Sequence, residues 1–210
     1  MPIVSQSVLF DLAYKNPKAR PGRDLTRIAY ENASYGDKSQ GILGAGTGAT
    51  VAKALGPSHL MKSGLGQASI RKGNLVVSAI VAVNAFGDIF DYKKGIQLAG
   101  PMKDGKILRT MDYIDEILGS FADIKPANTT IGAVATNASF NKTELTKIAG
   151  MGHDGFARSI NPVHTLFDGD TIYALSTNKV SANINLVGAL SAEVMSMAIA
   201  NAIYSLSENK

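Results

Sequence analysis

An α/β sandwich in one domain is the fold that this sequence predicts, and three observations carry the prediction. Apolar segments of strand type (residues 66–71, 74–84 and 129–136) alternate with segments of helical spacing (143–160 and 183–206). No repeat, low-complexity tract or linker divides the 210 residues. Hydrophobic residues make up 45% and charged residues 18%, the latter below the roughly 25% usual in soluble proteins. Much of the chain is therefore expected to be buried, and intrinsic disorder is excluded.

Residues 3–12 alternate apolar and polar side chains and read as a first strand. A loop carrying Pro17 and Pro21 follows, then a helix over about 24–34. Residues 42–53 are rich in Gly, Ala and Thr, with Gly44, Gly46 and Gly48 at alternate positions. The strands at 66–71 and 74–84 flank Lys72-Gly73, a turn-forming pair, and read as neighbours. Residues 95–105 read as loop and 111–121 as a short helix. Pro126 then ends a connection into the β-branched strand 129–136. In 143–160 the apolar residues Leu145, Ile148, Ala149 and Phe156 share a helical face, with Asn141 placed to cap it. A strand over 170–177 and a long Ala/Met/Leu-rich helix over 183–206 complete the chain.

With no cysteine, disulfides, thiolate metal sites and thiol catalysis are excluded. The longest apolar stretch, 75–83, is far shorter than the roughly 20 residues of a membrane span. The amino-terminal segment has neither a basic region nor a small-residue cleavage site, so a cytoplasmic protein is expected. Net charge is +4. Residues 1–128 hold 16 basic and 11 acidic side chains, and residues 129–210 hold 5 and 6. The excess gathers in Lys15, Lys18, Arg20, Arg23 and Arg27 without interleaved aromatics, which fits a solvated loop better than a nucleic-acid surface.

Several motifs allow more than one chemistry. The run 44–49 resembles a dinucleotide-binding fingerprint, but the acidic residue required about twenty positions on is replaced by Arg71 and Lys72. A glycine-rich turn that brings backbone and Lys53 toward a site is the alternative. His164, Asp168 and Asp170 have the donor types of a divalent-metal site, although an Asp-Gly-Asp turn entering a strand is the commoner arrangement. In 125–132, Asn128 precedes Thr129 and Thr130. A threonine hydroxyl becomes nucleophilic when a base adjoins it, and an amino-terminal threonine carries one in its own amine, of pKa roughly 7.7–8.0. Composition alone favours a Pro-Asn turn entering a Thr-rich strand.

The motifs at 44–53, 83–87, 128–131 and 167–171 resemble the L-aminopeptidase/D-esterase family. That family includes D-aminopeptidases, β-peptidyl aminopeptidases and nylon-oligomer hydrolases, and is similar in fold to ornithine acetyltransferase. The resemblance covers nearly the whole chain, with the motifs in the family's order. It implies an αββα sandwich and a proenzyme that cuts itself before a Ser or Thr. Carried over, the scissile bond is Asn128–Thr129 and Thr129 the nucleophile, giving an α-chain of 1–128 and a β-chain of 129–210. Lys53 and Asn84 match positions lining the catalytic cleft, and Asp168 and Asp170 match the acidic pair beside the new amino terminus. Phe10 stands where some relatives have a cleft tyrosine.

These residue types suit those tasks. Asn84 can donate to a developing oxyanion without titrating. Lys53 can stabilise negative charge or, if desolvated, serve as a base. Asp168 and Asp170 can orient the Thr129 amine or hydroxyl, and their mutual repulsion favours a proton on one of them. The resemblance implies a small peptide or amide substrate, no metal or organic cofactor, and association into a homo-oligomer of αβ units. Family chains carry a further amino-terminal portion, so this chain is expected to be truncated relative to them. The alternatives are an inactive remnant, one half of a split protein, or an acyltransferase of the ornithine acetyltransferase type.

Overall fold

The computed structural model describes residues 4–12, 14–119 and 128–207. Along them run α1 (Arg23–Glu31), β1 (Thr50–Val51), β2 (Met61–Lys62), β3 (Leu65–Lys72), β4 (Leu75–Ala82), β5 (Asp88–Asp91), β6 (Ile96–Ala99), β7 (Met102–Lys103), β8 (Lys106–Ile107), α2 (Ile114–Gly119), β9 (Ile131–Ala138), α3 (Lys142–Ser159), β10 (Ile160–Asn161), β11 (Thr171–Val180) and α4 (Ile184–Ser207).

A mixed four-stranded sheet of order β11-β9-β4-β3 organises the protein. β11 runs parallel to β9, while the β9–β4 and β4–β3 pairs are antiparallel. Alternation fixes which face is buried. Leu75, Val77, Ala79 and Val81 of β4 and Gly132, Val134, Thr136 and Ala138 of β9 all point toward α3 and α4. That layer also supplies Ile148, Phe156, Val187, Met195 and Ile199, each fully enclosed. At Gly66 the helix lies so near the strand that an added Cβ would sit 2.0 Å from the Ala198 carbonyl oxygen, which is why β3 has no side chain there. A smaller sheet, β10-β5-β6, packs against the same helices.

The helices follow local rules. Asn141 caps α3: its Oδ1 accepts from the Glu144 N–H at 3.0 Å, and Glu144 Oε2 accepts from the Asn141 N–H at 2.8 Å, a reciprocal capping box. α4 is long and apolar enough to cross a membrane by length and hydropathy, a feature missed when only uninterrupted apolar runs are counted. Because 67% of its apolar window is buried within the protein, it serves as the core helix.

Three expectations are corrected. Residues 4–12 form no strand; Ile3 lies outside the described residues. Alternation makes a strand only where an edge accepts its backbone, and this segment instead lies beside the non-helical face of the sheet. There Ser5, Gln6 and Ser7 border a cleft with Leu65, Ile80, Ala133 and Tyr173, and the Ser7 hydroxyl meets the Tyr173 hydroxyl at 2.7 Å. The stretch 95–105 is not loop: β6 pairs with β5, and β7 with β8. Asp104-Gly105, both with positive φ, joins the second hairpin, and an Asp-Gly pair between short apolar runs was the readable signal. The helix expected over 111–121 is a 3-10 turn at Thr110–Tyr113 followed by α2, and Phe121 lies outside the described residues.

Loss of the α3 cap gives a direct test of this local account. Asn141→Ala should cost about 1 kcal/mol, read as a lower urea midpoint with an unchanged slope.

Candidate active site

The sheet order brings distant segments to one end. Because β9 and β11 are parallel, Thr129-Thr130 and Asp168-Gly169-Asp170 enter them side by side. β4, antiparallel to β9, delivers Asn84 to the same end just past the Ala82–Ile131 pair. An isolated bridge, Asn128 to Asp168, extends the parallel pairing beyond the strands. Lys53 follows β1, held by a bond from its N–H to the Phe86 carbonyl at 3.0 Å.

Asn128, Thr129 and Asn84 are all buried, at 6%, 8% and 0% exposure. The peptide group joining Asn128 to Thr129 is held from both sides. Its N–H donates to the Asn84 carbonyl at 3.1 Å, and its carbonyl accepts from the Gly169 N–H at 2.8 Å. The Thr129 hydroxyl donates to that same carbonyl oxygen at 2.5 Å. The Thr130 N–H donates to Asp170 Oδ1 at 2.9 Å.

Lys53 Nζ donates to Asn84 Oδ1 at 2.7 Å and to the Asn84 carbonyl at 3.3 Å, so it shares that carbonyl with the Thr129 N–H. Asn84 Oδ1 also accepts from the Thr50 N–H at 3.1 Å, while Nδ2 donates to the Phe10 carbonyl at 2.9 Å. Phe10 therefore meets the site through its backbone, and its side chain is partly exposed. Burial pushes the Lys53 ammonium down to about 7, against the opposing pull of the Asp168 and Asp11 carboxylates.

Asp168 and Asp170 take different partners. Asp168 accepts from the Phe86 N–H at 3.2 Å, from the Thr165 N–H at 3.2 Å and from the Thr165 hydroxyl at 2.6 Å. Burial raises its pKa and the neighbouring Asp170 charge adds to that, while the Thr165 and Phe86 bonds oppose it. Asp170 bonds His164 Nδ1 at 2.9 Å through its other oxygen, and His164 Nε2 lies 3.2 Å from His153 Nδ1. This histidine pair escaped the sequence reading, because residues eleven apart meet only after α3 and the loop before β11 are packed. Burial, and then His164, lower the His153 pKa. Among the described residues no group of three or more His, Asp or Glu side chains is arranged to hold a metal ion.

The glycine-rich run has a different occupant from a phosphate. Gly44–Gly46 forms a 3-10 turn, without the strand before and long helix after that a dinucleotide fingerprint requires. The carbonyls of Gly46, Ala49 and Ser63 accept from Lys62 Nζ at 3.0, 2.7 and 2.6 Å. Of the 125–132 motif, residues 125–127 lie outside the described residues.

The sequence profile of peptidase family S58 matches residues 1–208. An uncharacterized aminopeptidase of Mycobacterium leprae is 35% identical over 194 residues, covering 87% of this chain and 51% of its own length. A 6-aminohexanoate-oligomer endohydrolase of Kocuria sp. is 31% identical over 209 residues, covering 92% and 59%. Among solved structures, a Burkholderia sp. beta-aminopeptidase superposes with a TM-score of 0.58 at 21% identity, over 85% of this chain and 50% of that one. The L-aminopeptidase D-Ala-esterase/amidase of Ochrobactrum anthropi, described as a variant of the Ntn hydrolase fold, gives 0.57 at 18%, over 85% and 48%. The chain thus spans about half the length of the relatives it matches.

The depressed Lys53 has a measurable sign. Between about pH 7 and pH 10.5 the unfolded chain holds a proton on Lys53 that the folded chain does not, so stability rises with pH across that window. Lys53→Met removes this dependence. The thermal midpoint of the variant relative to the native protein should therefore be higher at pH 7 than at pH 9.5, and an equal difference at both would contradict a desolvated Lys53.

Proposed function

The chain belongs to peptidase family S58, and from that premise we propose that it is a self-processing aminopeptidase or amidohydrolase whose nucleophile is Thr129. One observation carries the reading: the Thr129 hydroxyl lies 2.5 Å from the carbonyl oxygen of the residue before it, inside a buried junction. A hydroxyl kept against its own preceding carbonyl, shielded from bulk water, is positioned for an intramolecular acyl shift.

In maturation, Thr129 Oγ1 attacks the Asn128 carbonyl carbon, the C–N bond breaks and its nitrogen takes a proton. Water then hydrolyses the resulting ester, leaving an Asn128 carboxylate and a free Thr129 amine. The products are chains 1–128 and 129–210. In turnover, that amine accepts the hydroxyl proton as Oγ1 attacks the substrate carbonyl. An amine leaves, and water releases the acyl group. Lys53 holds Asn84 and, in the neutral form that its lowered pKa makes accessible, serves as the base of maturation; Asn84 fixes the amine through its carbonyl and offers the substrate oxyanion the side-chain N–H that is not bonded to Phe10, and Asp168 and Asp170 orient the loop beside the nucleophile. Phe10 borders the cleft.

Names of relatives as aminopeptidases and as a 6-aminohexanoate-oligomer endohydrolase support a small peptide or amide substrate, and the aminopeptidase names favour cleavage at a free amino end. No metal or organic cofactor takes part in these steps. An αββα sandwich, association of αβ units and a cytoplasmic location belong to the same proposal.

Mass spectrometry of purified protein should find two chains, one beginning TTIGAV, and Thr129→Ala should remain uncut and inactive. Turnover surviving in Thr129→Ala would move the nucleophile elsewhere. Self-cleavage should also speed up as pH rises through about 7, where Lys53 loses its proton. During maturation the Thr129 amine is still an amide, so this limb reports Lys53. It should vanish in Lys53→Met.

A further inference from the structure

The sequence draws attention to the two carboxylates of Asp168-Gly169-Asp170, yet neither carboxylate touches the Thr129 hydroxyl or the Asn128 carbonyl by hydrogen bond. The group that reaches the carbonyl is the backbone N–H of the glycine between them, at 2.8 Å. The Asn84 side-chain amide, the other candidate donor, is directed to the Phe10 carbonyl. We propose that the Gly169 N–H is the oxyanion donor for cleavage of the Asn128–Thr129 bond, and that the flanking aspartates act on the reaction by holding this N–H in place. The inference rests on the self-processing reading above and deepens it.

Thr129 Oγ1 forms a bond to the Asn128 carbonyl carbon, and the carbonyl π pair moves onto an oxygen already bonded to the Gly169 N–H. When the pair returns, the C–N bond breaks, and the proton lost by the hydroxyl ends on the Thr129 nitrogen. A donor that is fixed before charge develops does not have to reorganise in the transition state. The loop supplies that fixity. Asp168 ties its own turn to Thr165 and to the Phe86 N–H, and Asp170 ties the other side to the Thr130 N–H and to His164. Between these anchors there is no room for a side chain: a Cβ on Gly169 would sit 2.9 Å from Thr129 Oγ1.

Replacing Gly169 by glycolic acid during cell-free synthesis removes the N–H and keeps the shape. The time course of cutting, followed by mass spectrometry beside the native chain, then tests the donor. A folded ester variant should cut more slowly by about 10²-fold, the size of effect seen when one such donor is lost. A folded ester variant that cuts at the native rate overturns the proposal and leaves the self-processing reading intact. A native chain that never cuts overturns both. Should the ester variant fail to fold, hydrogen exchange in uncut Thr129→Ala decides: a protected Gly169 amide supports the bond, and one exchanging at the free-peptide rate removes it.

Discussion

The parallel pairing of β9 with β11 is the constraint on which the site depends. Parallel neighbours enter a sheet from the same end, so the register Thr171 to Ile131 places the residues before each strand in contact. The pairing continues past the strands as the bridge between Asn128 and Asp168 and as the bond from the Thr171 N–H to the Thr130 carbonyl. A slip of one residue would turn Gly132 and Val134 away from the helices and simultaneously separate Gly169 from the Asn128 carbonyl. Burial of the core face therefore fixes the geometry of the junction.

That end of the sheet gathers buried charge, which is costly unless each group is bonded. Lys53, Asp168 and Asp170 are accordingly spent on structure as well as chemistry. Lys53 Nζ is bonded to both oxygens of Asn84, Asp168 to three donors and Asp170 to two partners. Such a network has few alternative arrangements, because moving one member leaves another unsatisfied in a low-dielectric setting. The penalty of desolvation appears in the lowered Lys53 and the raised Asp168, while the bonds limit its size.

What could be read from the sequence follows the range of the interactions involved. The helices α3 and α4, the Asn141 cap and the β3–β4 hairpin depend on neighbours within a few residues, and periodicity with turn chemistry finds them. The first segment failed because its strand-like alternation lies over a face of the sheet and not along an edge, an arrangement set by residues far away in sequence. At the site, Thr129, Lys53, Asn84, Asp168 and Asp170 were legible as side-chain types within a family pattern. His153 and the Gly169 N–H were not, and His164, legible only as a candidate metal ligand beside the two aspartates, instead bonds Asp170 and His153. The histidines meet through packing, and a backbone donor has no residue type at all.

The two glycine features show why composition alone misleads about backbone chemistry. A glycine-rich run suggests a nest of N–H groups around an anion, yet at 44–49 it is carbonyls that converge, and the bound group is the Lys62 ammonium. At Gly169, a lone glycine between two acids suggests only a turn, yet there an N–H is directed inward at a carbonyl. Glycine permits close approach of the main chain in either direction. The sense of that approach is set by which strand end the loop serves. Before a parallel pair, the next residue's N–H points across to the neighbouring strand and continues the ladder, and Gly169 donates to Asn128 for that reason. The chemistry proposed at this junction is thus an extension of sheet hydrogen bonding by one step beyond its end.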